Sequence, residues 1–200
     1  MPAFMLARLD RETRDYHATA TADRARAALH LQDDAASYRA SLARVWGIEA
    51  AIEGAVATTV GLAAIYELRS RYHMIALRAD LMELGVSSPS QLPSCAIATP
   101  AKTMDVATAL GFLYAIDKAP LPVLPAKIPY PVRYLTRAHD LTAVGLACDK
   151  LAKTPQTATA IANAARSAFI QMHTWFGSAA GGSTQSTSAR VARIARRAER

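Results

Sequence analysis

The 200-residue chain is expected to fold as an all-α, single-domain protein. Three observations carry that expectation. Alanine, the best helix former, recurs throughout. Apolar residues fall three or four apart along most of the chain, the period of one helix face. β-branched runs are short, aromatics make up 6% of the residues, and no Asn-Gly or Asp-Gly pair signals a hairpin. Two hundred residues suit one domain with a sizeable core.

The elements follow in order. An amphipathic helix spans about Met5 to Ala20, with Leu6, Leu9, Thr13, Tyr16 or His17, and Ala20 along one stripe and charges opposite. A short helical piece covers about Ala22 to Leu31. Asp33 or Asp34 then caps a helix over Ala35 to Val56. Its stripe is Tyr38, Leu42, Val45, Trp46, Glu49 and Ile52, interrupted at Gly47, with Trp46 as core anchor and Arg39 and Arg44 exposed. Gly54 to Gly61 reads as a break. A helix over Leu62 to Leu84 carries Ile65, Leu68, Tyr72, Ile75 and Leu81, with His73 structural or exposed beside them, and Gly85 stops it.

Val86 to Thr99 is Ser/Pro-rich loop. Thr99-Pro100 opens the next helix, whose stripe is Met104, Ala107, Leu110 or Gly111, and Tyr114. Ala109 to Ile116 is almost wholly apolar and reads as buried on most sides. Pro120, Pro122 and Pro125 end it, and Pro129 and Pro131 prolong the irregular stretch. Helices over Val132 to Lys150 and from Thr154-Pro155 to Gly177 complete the domain, the last burying Ile161, Ala165, Phe169, Met172 and Phe176. The domain is expected over residues 1–177. Residues 178–200 form a Gly/Ser/Thr-rich linker and a basic tail, Arg190 to Arg200.

The net charge is +7, and the tail holds five Arg and one Glu, so the body is only mildly basic. We read the tail as solvated and expect no nucleic-acid partner. Cys95 and Cys148 lie in no metal-binding spacing and are expected as reduced thiols. The start lacks the apolar run of a signal peptide, and no apolar segment reaches the length of a membrane span. The expected location is cytoplasmic.

His17 on the first helix has two readings, a packed side chain or a ligand. The pattern Thr13-Arg14-x-x-His17 resembles the proximal helix of the heme oxygenases. Further pieces resemble the phytochrome-associated bacterial members in the same order. They are Tyr38-Arg39-Ala40-Ser41-Leu42, then Arg71 to Gly85 with LRADLMELG, Ala109 to Tyr114 (ALGFLY), and Ala168-Phe169 with Trp175-Phe176. The resemblance implies a heme oxygenase-like multi-helix fold. It implies an oxidoreductase that cleaves heme, at once cofactor and substrate, to biliverdin, carbon monoxide and iron.

On that resemblance His17 is the axial ligand of heme iron, its other N–H held by a carbonyl or a carboxylate such as Glu12 or Asp15. Thr13, Arg14 and Gly111 are heme-binding. Arg166 is a further propionate partner, with Arg133 and Arg137 behind it. Asp117 and Tyr114 stand on the distal, catalytic side. Electrons come from an external donor such as a ferredoxin, and a bacterial phytochrome is the implied partner. The chain departs from the family where the distal helix carries three glycines: Lys118, Pro122 and Val123 stand there. Bulk at those positions crowds the heme face. The alternative is therefore a degenerate homologue that binds heme or bilin without cleaving it. A third possibility is a helical scaffold with no tetrapyrrole.

Overall fold

A computed structural model describes residues 4–27, 34–68, 73–95, 104–120, 129–136 and 139–177. Among them are seven α-helices and no strand. They are α1 (Phe4–Glu12), α2 (Arg14–Ala27), α3 (Ala35–Ala57), α4 (His73–Glu83), α5 (Val106–Lys118), α6 (Leu141–Leu151) and α7 (Pro155–Gly177), with short 3-10 turns at Leu62–Ala64 and Pro89–Gln91.

The helix expected over Met5 to Ala20 is two helices meeting at Thr13, and the second runs on to Ala27. The backbone bonds continue through the joint: Thr13 N–H donates to Leu9 O at 2.9 Å, and His17 N–H to Thr13 O at 2.8 Å. The Thr13 hydroxyl also donates to Leu9 O, at 2.8 Å. A second donor on one carbonyl opens the turn and bends the helix.

Helix α3 is capped by Asp34, which accepts from Ser37 N–H at 2.7 Å. It runs through Gly47 without a break. A Cβ there would stand 2.5 Å from both Pro93 O and the Trp175 ring, so the glycine marks a close crossing. Arg44, expected exposed, is half-buried: it donates to the Trp175 and Phe176 carbonyls and lies over the Phe176 ring. Trp46 is half-buried at the core edge.

In place of one helix over Leu62 to Leu84 there are a 3-10 turn at Leu62–Ala64 and α4 from His73; residues 69–72, Tyr72 of the stripe among them, lie outside the described residues. Gly61 takes φ +84 before the turn, and Gly85 takes φ +86 after α4. Val86 N–H donates to Leu81 O there, a left-handed helix stop. Helix α4 buries His73, Leu77, Asp80 and Leu81 and leaves Ile75 exposed. The apolar stripe therefore named the buried face only in part: Leu81 is buried, Ile75 is not, and two of the buried positions are polar.

The start at Thr99-Pro100 lies outside the described residues. Helix α5 begins at Val106, with Asp105 accepting from Thr108 N–H at 2.7 Å. Ala109 to Asp117 are all buried, as the apolar run implies. The helix expected over Val132 to Lys150 is a turn at 133–136, followed by α6 from Leu141. Asp140 caps α6 through Ala143 N–H, which fixes the later start. Helix α7 opens at Pro155 and buries Ile161, Ala165, Phe169, Met172 and Phe176. The linker and tail, 178–200, lie outside the described residues.

Helices α5 and α7 lie along each other at the centre, α2 packs on α7, and α6 lies against α5 and α1. The seam is tightest at Gly111, where a Cβ would stand 2.6 Å from Ala164 Cβ and Ile161 O and 2.7 Å from Ala165 N. None of the helices in the described residues is long and apolar enough to cross a membrane.

Candidate functional site

The bend at Thr13 aims the start of α2 at the last turn of α5. His17 is half-buried there. Its Nε2 lies 3.0 Å from Lys118 O and donates to that carbonyl, since a carbonyl can only accept. The ring stands edge-on to Phe169 of α7, with centroids 5.7 Å apart. Beside it, Tyr114 is fully buried and donates its hydroxyl to Asp10 at 2.6 Å. Lys118 Nζ reaches the same carboxylate oxygen at 2.8 Å. Burial alone would raise the Asp10 carboxyl; the Lys118 ammonium and the Tyr114 hydroxyl outweigh it and hold the group below the usual carboxylate range. Burial, with Asp10 as acceptor, raises the Tyr114 phenol and keeps it neutral.

The other residues singled out by sequence divide into two groups. Thr13 is buried at the bend and its hydroxyl lies against Tyr114. Arg14 is exposed. Arg166 binds Glu12 twice, through Nη2 to Oε2 at 2.7 Å and through Nε to the Glu12 carbonyl at 3.2 Å. Arg8 holds the other Glu12 oxygen, so Glu12 is committed to two arginines. Asp15 is exposed. Gly111 faces α7 across the seam, so its missing Cβ serves helix packing. Asp117 turns toward α4 and α6, where His139 Nδ1 lies 3.3 Å from its Oδ1. Arg133 pairs with Asp80 and Glu83, and Arg137 lies outside the described residues.

An imidazole is poised between two helices, with Arg14 on its own helix and Arg166 on the neighbouring α7. The closed geometry sets a condition: an iron on His17 Nε2 requires the direction that the Lys118 carbonyl occupies. The surface depression on the first turns of α7, lined by Pro155, Gln156, Thr159, Ala160 and Asn163, is a separate feature. Thr159 stands about 15 Å along the helix from Phe169, the α7 residue beside His17.

Two polar clusters escape the sequence reading. In the first, Arg24 of α2 is fully buried and donates to Glu49 of α3 at 2.9 Å. Tyr134 donates to the same Glu49 oxygen at 2.5 Å, and Arg24 also lies over the Phe176 ring. Tyr134 N–H donates to Asp80, which Arg133 reaches from outside. Burial opposes the Arg24 charge, but Tyr134 and Glu49 more than offset this and keep it protonated. Removing one partner from such a pair costs about 3–5 kcal/mol, because it strands a buried charge. Glu49 had been read as part of an apolar stripe, and nothing in the spacing of Arg24 marks it as buried. The second cluster is His73, Asp117 and His139.

The fold and these clusters define an all-α, single-domain protein with polar groups buried between its helices. Comparison with protein-family models, with curated proteins and with solved structures finds no match.

Proposed function

We propose that this protein binds heme or a related tetrapyrrole at His17 and does not cleave it. The observation that supports this reading is the direction of His17. Its Nε2 faces the last turn of α5, the helix that the resemblance implies on the far side of a heme. One hydrogen bond to a helix-end carbonyl restrains it, and such a bond contributes about 1 kcal/mol net. Iron coordination would replace that bond once the mostly exposed start of α2 moves off the α5 end. A bound heme supplies a ferric or ferrous iron with affinity for imidazole. Arg14 and Arg166 offer guanidinium groups to the propionates, Arg166 by exchanging Glu12 for a propionate carboxylate.

Ring cleavage by a heme oxygenase, fed by a ferredoxin-like donor and serving a phytochrome, is the less supported form of this reading. It needs open space and a proton relay on the distal side. Tyr114 spends its proton on Asp10, and Asp117 faces His139. A scaffold without tetrapyrrole is the second reading, favoured by the His17–Lys118 contact itself.

Titration with hemin, followed by the visible spectrum, tests the proposal. The expected result is one heme per chain with a histidine-type Soret band that His17→Ala loses. A wild-type protein with no stoichiometric Soret band leaves the scaffold reading. Biliverdin formed on adding reductant in air overturns the non-cleaving part alone.

A further inference from the structure

His73 is the first residue of α4, Asp117 sits in the last turn of α5, and His139 directly precedes the α6 cap Asp140. These three elements are remote in sequence and meet at one point. One ligand atom from each residue lies within 4.8 Å of the other two. His73 and Asp117 are each 2% exposed, and the His139 side chain is 20% exposed. The two imidazole rings stand edge to face, 5.0 Å apart. Asp117 Oδ1 lies 3.3 Å from His139 Nδ1.

We propose that His73, Asp117 and His139 form a binding site for a divalent first-row transition metal, with Zn2+ as the best-suited ion. Two imidazoles and one carboxylate are a donor set for such ions, whereas calcium and magnesium favour all-oxygen shells. The three donors occupy three corners of a tetrahedron, a set that leaves one position for another ligand. Ligand atoms around a tetrahedral zinc stand about 3.4 Å apart. From 4.8 Å, each atom moves inward by about 1 Å or less, within reach of side-chain rotation. Metal binds the neutral imidazole, so each ring offers one nitrogen lone pair to the ion. A buried carboxylate between two imidazoles then gains more from a dication than from a single proton. The Asp117–His139 bond is the arrangement of these groups without the ion, and it keeps the carboxylate aimed at the site.

The ion links the start of α4, the end of α5 and the approach to α6, so its binding stabilises the fold increasingly as its free concentration rises above the dissociation constant. The ligand set does not include His17, although Asp117 shares the last turn of α5 with Lys118, whose carbonyl His17 reaches.

Equilibrium dialysis of the full chain against Zn2+ alone, with metal analysis, tests the assignment. One Zn2+ per chain is expected, with a higher midpoint of thermal unfolding than in chelator. His139→Ala is the first variant, since this side chain is partly exposed and outside the helices; circular dichroism checks its fold. Zn2+ affinity is expected to fall at least about a hundredfold, and in Asp117→Asn likewise. His173→Ala, whose partner is Asp23, is expected to bind as wild type does. Co2+ bound in place of Zn2+ is expected to show the visible bands of a low-coordinate site in wild type and none in His139→Ala. A wild-type chain that binds no Zn2+, or a folded His139→Ala that binds it undiminished, overturns the proposal.

Discussion

Gly111 shows how one missing methyl group can carry two meanings. Read in sequence, it belongs to the ALGFLY piece, whose resemblance implies that it is heme-binding. In the fold it lets α5 approach α7, and the atoms a Cβ would strike include the Ile161 carbonyl and the Ala165 nitrogen. Backbone cannot rotate aside as a side chain can. Gly111→Ala is therefore expected to destabilise the protein by about 1–3 kcal/mol or more, although alanine is the better helix former. Urea unfolding measures it, and an unchanged midpoint would mean that the seam is looser than described. Gly47 poses a similar puzzle: its helix continues unbroken, and the Trp175 ring explains the residue. Neither glycine betrays its neighbour in sequence, because that neighbour is about fifty or more residues away.

The helices best foreseen are those whose buried face is apolar. Helix α7 buries all five residues its stripe named, and α5 is enclosed along the whole apolar run. Helix α4 was misjudged because it buries His73 and Asp80, which no hydrophobic pattern detects. The difference is measurable. Leu77, fully buried, is expected to cost about 2–5 kcal/mol when changed to alanine. Ile75, 66% exposed, is expected to cost about 0.5 kcal/mol or less, against its place in the apolar stripe. Equal losses in a thermal denaturation series would restore the face predicted from spacing. The bend at Thr13 was hidden for a related reason: the hydroxyl bond to Leu9 O leaves the three-four spacing intact while turning the axis. The caps were more visible. Asp34 acts as expected, but Asp105 and Asp140 set later starts than the prolines and apolar residues nearby suggested.

Across the molecule, the elements were legible and their meeting points were not. The sequence pointed to His17, Tyr114 and Asp117, and all three do lie at or beside the last turns of α5. What it could not show is that they face three ways: Tyr114 to Asp10, the Lys118 carbonyl to His17, and Asp117 to His139. Those directions depend on how α1–α2, α4 and α6 dock, which local spacing does not encode. The buried Arg24–Glu49–Tyr134 cluster, joining α2 and α3 to the turn at 133–136, went unseen for the same reason.

The convergence on α5 has a consequence for motion. Its backbone between Gly111 and Lys118 is pressed against α7 on one side and tied by side chains to α1, α2 and the α6 approach on others. No local opening frees these amides without breaking several of those ties together. Their protons are expected to exchange with solvent D2O only when the whole domain unfolds, with protection equal to the global stability. Amides of the first turns of α2 are expected to exchange faster, because that segment is mostly exposed. Proton-by-proton exchange spectra would then divide the chain into a rigid axle and a wall that opens around it, and the wall carries His17.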